Sequence, residues 1–171
     1  KFLQAGVAEL TMAAICNGIA LHGGIHVACA TFFVFSDYMK PAFRLSALMQ
    51  MPVKYIWTHD AFRVGEDGPT HQPIEHEAQL RLLEKMQNHA GKMSMLALRP
   101  ADAAETSVAW KMAMENTETP TALVLSRQNI NDLPAATDRY TEALKAEKGA
   151  YIVQKNGENP KVILIASGSE V

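Results

Sequence analysis

The sequence predicts an α/β fold, a mostly parallel sheet with helices on both faces. Two observations predict it. Apolar runs without polar alternation recur at residues 26–33, 53–58, 94–98 and 121–126, as in strands buried on both faces. Helical spacing separates these runs, which gives a βαβαβαβ rhythm. The size agrees. At about 150 residues per domain, 171 residues make one domain, or one plus part of another. A chain of 18.7 kDa buries about 70% of its unfolded surface and leaves about 8,300 Å² exposed. A core of that size needs no disulfide or metal staple.

Each element has its own signal. Val7, Leu10, Ala14 and Leu21 fall near helical spacing, with Ile15 and Ile19 on an adjacent row. Gly23 and Gly24 stop that helix. The first apolar run follows. Ser36 then caps a helix reaching about Met49, with Pro41 in its first turn or at a kink. After the second run, residues 59–73 are polar and rich in Gly and Pro, a loop. Residues 74–86 read as a helix, with Gly91 shortly beyond. Asp102 and Glu105 stand in capping-box spacing and open a helix through about Glu115.

Residues 129–148 are polar and carry Pro134. Two strand-like runs, 150–154 and 161–166, flank Asn156 and Gly157, a hairpin turn signal. The expected division is therefore a domain over 1–148, then a linker hairpin and the start of a further domain over 149–171. The first residue is Lys1 rather than Met, so the chain reads as cut from a longer one.

Several classes are excluded. Hydrophobic residues at 48% rule out a disordered chain. A net charge of −2 argues against a broad nucleic-acid binder, so no nucleic-acid partner is expected. The longest nearly apolar run, residues 27–35, is nine residues against the roughly 20 a membrane span needs, so no membrane is expected either. Cys16 and Cys29 sit in apolar company, as buried free thiols of a reducing, cytoplasmic setting.

In open parallel sheets, ligands bind beyond the carboxyl ends of the strands. The densest polar loop falls there: THDAFRVGEDGPTHQP, residues 58–73, holds two His, three acids and an Arg. A metal site from His71, Glu75 and His76 is not expected, because Pro73 breaks the helix that zinc motifs require. With that spacing and no Cys nearby no site metal is assigned, and because no phosphate loop or dinucleotide fingerprint is present, phosphate must be held otherwise. Arg127 can hold one as a bidentate fork. Glu9 opens an apolar helix. It either serves the helix dipole or is a half-buried acid that shares a proton with a ligand nitrogen. Phe32, Phe35 and Tyr38 either fill the core or form a wall for a flat ring.

Together these motifs resemble transketolase at its pyrimidine-binding (middle) domain, over essentially the whole chain. The resemblance rests on GVAEL at 6–10, NGIALHGG at 17–24, TFFVFSDY at 31–38, THD at 58–60, GEDGPTHQP at 65–73, RPAD at 99–102 and SRQN at 126–129. Ala8 and Leu10 stand where the family shows Arg and an aromatic or His, while Glu9 is kept. The first strand of the family's domain is expected before Lys1.

The resemblance implies thiamine diphosphate, with Mg²⁺ or Ca²⁺ holding its diphosphate on a diphosphate-binding domain outside this chain. It implies that Glu9 bonds N1′ of the aminopyrimidine and that Phe32, Phe35 and Tyr38 pack around that ring. His71 matches a contact to the reacting end of the substrate. Asp67 matches a reader of the C2 hydroxyl, and His59 with Arg127 the pair that binds the sugar phosphate. The activity implied is transfer of a two-carbon ketol unit between sugar phosphates, in a homodimer whose site is shared between subunits. This chain alone is expected to be inactive. The rivals are a deoxyxylulose-phosphate synthase-like enzyme, a ketoacid dehydrogenase component, and a non-catalytic partner domain. THD with SRQN favours transketolase, and five retained site residues speak against a non-catalytic domain.

Overall fold

The computed structural model describes residues 1–60 and 64–171. Its helices are α1 (Glu9–His22), α2 (Ser36–Leu48), α3 (His76–Lys85), α4 (Ala103–Glu115) and α5 (Arg139–Ala143). Its strands are β1 (Ala28–Phe32), β2 (Lys54–Thr58), β3 (Leu96–Leu98) and β4 (Thr121–Val124). All strand pairs are parallel, in the order β1-β2-β4-β3. The predicted parallel α/β architecture is the observed one.

Strand side chains alternate between the two faces. On one face Cys29, Tyr55, Trp57 and Val124 pack with Ala13 and Cys16 of α1, Met39, Ala42 and Phe43 of α2, and Leu80 of α3. On the other, Leu123 packs with Ala109 and Ala113 of α4, beside Ile56 and Trp110. Trp57 is fully buried, with the Phe43 ring edge-on at 5.4 Å. A buried polar knot ties the first face together. Asn17 donates to the Ala42 carbonyl at 2.9 Å, and Ser46 bonds both Asn17 and the Tyr55 hydroxyl. Burial pushes the Tyr55 hydroxyl pKa up.

Asp102 caps α4 as its spacing predicts, accepting from the Glu105 amide at 2.8 Å. The Glu105 carboxylate returns to the Ala101 amide at 2.8 Å, one residue short of a standard capping box. Asp102 also accepts from Arg139 Nε at 2.6 Å, which fastens the segment after β4 to α4. Pro41 stands past the first turn, inside α2, and supplies no N–H to the carbonyl four residues back.

Two expectations are corrected. The apolar row of Val7, Leu10, Ala14 and Leu21 faces solvent in this chain, as does Ile15 of the adjacent row, and the core side of α1 is Ala13, Cys16 and Asn17. Small side chains let α1 approach the sheet closely, and spacing alone cannot rank two apolar rows on one helix. Residues 150–154 and 161–166 form no strand and no hairpin. Ile163, Leu164 and Ile165 are 81%, 91% and 93% exposed, because no described strand lies beside them to pair with. These bare segments contribute to a surface of 10584 Å², against about 8,300 Å² for a compact chain of this mass.

Candidate functional site

The site begins where β1 ends. Phe32 closes the strand, and the chain turns directly into a 3₁₀ turn, Phe33–Phe35, then α2. A 3₁₀ turn has about three residues per turn, so side chains three apart eclipse. Phe32 and Phe35 therefore share a side, with centroids 5.9 Å apart and planes 10° apart. Tyr38 continues the row, 5.9 Å from Phe35. Phe33, out of phase, goes to the core. The aromatic group is thus a wall at the strand ends and not core filling.

Parallel register delivers the next residue. Phe32 pairs with Thr58, so His59 emerges beside Phe32. Its ring lies flat on Phe32, with centroids 3.5 Å apart and planes 17° apart. His59 holds a left-handed backbone at φ 60, uncommon for a residue with a Cβ. The Thr58 hydroxyl fixes Nδ1 of that ring at 2.9 Å.

The loop supplies His71 from another 3₁₀ turn, Pro69–His71, which Gly68 opens at φ 78. His71 meets Phe35 edge-on at 5.2 Å and Phe32 at 6.3 Å. Thr70 bonds its Nδ1 at 2.9 Å. Residues 61–63 of this loop lie outside the described residues. β4 neighbours β2, so Arg127, three residues past β4, reaches the same edge. Its guanidinium lies against Gly65, where an added Cβ would stand 3.1 Å from Cζ. Only a glycine leaves that space at this loop position.

Burial holds the His59 pKa below the ordinary 6.5. Arg127 and His71 push the same way, and Asp67 and Asp60 partly offset them. Five predicted residues therefore share one ring cluster: Phe32, Phe35, Tyr38, His59 and His71. Asp67 and Arg127 lie within its electrostatic reach. Glu9 stands apart from these contacts. It is the first residue of α1, half-buried, and makes no hydrogen bond or ion pair among the described residues.

Two groupings were missed. His76 turns inward, 3% exposed, with Nε2 3.1 Å from Asp37 Oδ2 at the start of α2. This brings α3 against α2, and neither ring nitrogen has a hydrogen-bond partner among the described residues. Asp60 and Arg99 form a buried ion pair at 3.1 Å. THD and RPAD contain these two residues, but a separation of 39 positions gives no signal that they meet.

A parallel α/β domain that presents an aromatic wall, two imidazoles and a guanidinium at its strand ends is a ligand-binding domain. Comparison with known proteins gives the particular family. Residues 1–132 match the family described as transketolase, pyrimidine binding domain, and the chain belongs to it. A transketolase of Bacillus subtilis is 53% identical over 168 residues, covering 97% of this chain and 23% of its own length. Transketolase structures from Pichia stipitis, described in complex with xylulose-5-phosphate and with sedoheptulose-7-phosphate, each superpose with a TM-score of 0.75 at 42% identity. Each covers 90% of this chain and 21% of the other. A structure described as a split gene transketolase, inactive beta4 tetramer, gives a TM-score of 0.60 at 29% identity over 78% of this chain and 40% of the other. The chain spans about a quarter of the length of the curated relatives it matches. No described helix is long and apolar enough to cross a membrane.

Proposed function

We propose that this chain supplies the aminopyrimidine-binding half, and part of the sugar-phosphate site, of a transketolase. The observation that carries this reading is the single cluster of Phe32, Phe35, His59 and His71, with the Arg127 guanidinium beside Gly65. The residues fit thiamine diphosphate. Two aromatic planes 10° apart suit a flat heteroaromatic ring, and a carboxylate without a partner among the described residues suits a ring nitrogen. When bound, the cofactor would supply a carbon nucleophile and an electron sink for moving a two-carbon ketol unit between sugar phosphates.

The chain's own residues divide the remaining work. Phe32, Phe35 and Tyr38 would hold the pyrimidine face and exclude water from it. Glu9 would hold a proton at its carboxyl oxygen and share it with N1′. Thr70 orients His71, whose Nε2 is left to bond the carbonyl and hydroxyl of the sugar's reacting end. Asp67 would accept from the C2 hydroxyl. Arg127, permanently cationic, and His59 would hold the phosphate. His59 is mostly neutral at pH 7, because burial lowers its pKa. In the tautomer in which the Thr58 hydroxyl donates to Nδ1, Nε2 carries the proton and would offer a donor to the phosphate.

No residue of this chain is assigned to metal. Mg²⁺ or Ca²⁺ would hold the diphosphate on a diphosphate-binding domain. Residues 149–171 would lead into a third domain. The partner is a second copy of the parent chain, in a homodimer. Glu9 shares α1 with exposed Leu10, Ile15 and Leu21, and a helix apolar on both sides suits covering on both. The split-gene tetramer described as inactive supports the reading that this half alone does not turn over. Free Cys16 and Cys29 fit a reducing cytoplasm.

The test is a coupled assay on the full-length protein with thiamine diphosphate and Mg²⁺, xylulose 5-phosphate as donor and ribose 5-phosphate as acceptor. Turnover is expected, and Glu9→Ala lowers it by about 100-fold or more. Pyruvate consumed in place of the ketose phosphate would move the chain to a sister enzyme. Inertness with both donors would make it a non-catalytic partner domain.

A further inference from the structure

His59 and Asp60 are chain neighbours at the end of β2, and their side chains part. His59 lies half-buried on Phe32, whereas Asp60 is 1% exposed. The Asp60 amide donates to the Leu125 carbonyl at 3.1 Å. Its Oδ2 accepts from Arg99 Nη2 at 3.1 Å and from Ser169 Oγ at 2.9 Å. The Arg99 side chain is itself buried, 5% exposed; its Nε has no partner among the described residues, and its Nη atoms also reach the chain's far end. It donates to Ser167 Oγ at 3.0 Å and to both Glu170 oxygens, at 2.9 and 2.8 Å. Its Nη1 also lies 3.5 Å from Glu77 of α3. The backbone closes the contact, because the Gly168 amide donates to the Arg99 carbonyl at 3.1 Å. Gly168 sits at φ 60, and a Cβ there would lie 2.6 Å from Arg99 Cγ. The close approach therefore requires glycine.

One guanidinium thus bridges three carboxylates from three separate segments. Each of these contacts bears on the residue next to Asp60. A histidine at φ 60 is strained, and such a backbone persists only where its surroundings over-determine it. On the near side Thr58 fixes the ring. On the far side Asp60 is the anchor, and its other oxygen, Oδ1, is buried without a hydrogen-bond partner among the described residues. The anchor therefore depends on Arg99 for its charge balance and on Ser169 for its second bond.

We propose that Asp60, Arg99 and residues 167–170 form a clamp of positioning residues that sets the phosphate-binding pose of His59. This rests on the reading of His59 and Arg127 as the phosphate pair. Asp60 and Arg99 are buried and do not touch substrate. The clamp acts through the His59 backbone and makes phosphate affinity depend on a segment more than 100 residues away in sequence.

The test uses the full-length enzyme and two acceptors, ribose 5-phosphate and unphosphorylated glycolaldehyde. Arg99→Met and Gly168→Ala are each expected to raise KM for ribose 5-phosphate about tenfold. KM for glycolaldehyde and kcat should stay within about twofold. Gly168→Ala keeps every charge in place, so it carries the test if Arg99→Met fails to fold. In a His59→Ala background, Gly168→Ala should add nothing to KM, because the clamp acts through that side chain. Equal losses on both acceptors, unchanged KM on both, or additivity with His59→Ala would each overturn the clamp. Failure of the underlying reading looks different: the unaltered enzyme would show no preference for the phosphorylated acceptor, or His59→Ala would leave that preference intact.

Discussion

The end of β1 and the start of α1 carry the two grips proposed for one pyrimidine ring, and they differ in completeness. At the end of β1 every ring has a ring beside it, from Tyr38 through Phe35 and Phe32 to His59 and His71. At the start of α1, Glu9 has no hydrogen-bond partner among the described residues, and the row of Leu10, Ile15 and Leu21 lies open. Parallel register builds the first grip within one chain. The second is an acid in the first turn of α1, without a hydrogen-bond partner among the described residues, on a helix whose outer face is apolar. Such a helix makes physical sense only when something covers that face.

The largest expected effect separates chemistry from fold. Glu9→Ala lowers turnover of the full-length enzyme by about 100-fold or more, yet its melting temperature moves by no more than about 2 °C, because the residue makes no hydrogen bond or ion pair among the described residues. A large drop in melting temperature would mean that Glu9 is structural. Next comes the open row. Leu21, 62% exposed, should lie in the interface between copies. Leu21→Asp is expected to shift the full-length protein from dimer to monomer in sedimentation, with near-native circular dichroism. A dimer that survives this charge would place the interface elsewhere.

The complete grip responds less steeply. Phe32→Ala removes the ring under His59 and beside Phe35. The half-saturating concentrations of thiamine diphosphate and ribose 5-phosphate should both rise, each about tenfold. A change in one alone would separate the two sites. The smallest effect is in pH. Because the folded pKa of His59 lies below 6.5, the unfolded chain binds more protons in that window. Its contribution to stability is fully present above pH 6.5 and is lost as pH falls through the folded pKa. Melting temperature measured from pH 8 to pH 5 should fall less in His59→Gln than in the unaltered protein. Parallel curves would mean that His59 titrates normally.

Much of the fold was legible because it rests on local rules. Apolar runs without alternation predicted parallel strands, and the spacing of Asp102 and Glu105 predicted the start of α4. The row of Phe32, Phe35 and Tyr38 was visible as residues, but its role as wall or core stayed open. The choice was made by the 3₁₀ turn after β1, which aims Phe33 inward and its neighbours outward.

The sequence by itself determined element type, strand direction and the identity of the candidate site residues, since propensity, capping and motif spacing act over a few residues. Tertiary structure alone decided which row of α1 is core, because that depends on the close approach of Ala13 and Cys16 to the sheet. It alone shows that 161–166 has no strand partner among the described residues, because a strand exists only beside another strand. It alone brought Asp60 to Arg99 and Arg99 to Glu170, because ion pairing depends on distance in space, and 39 and 71 residues of chain separate those charges.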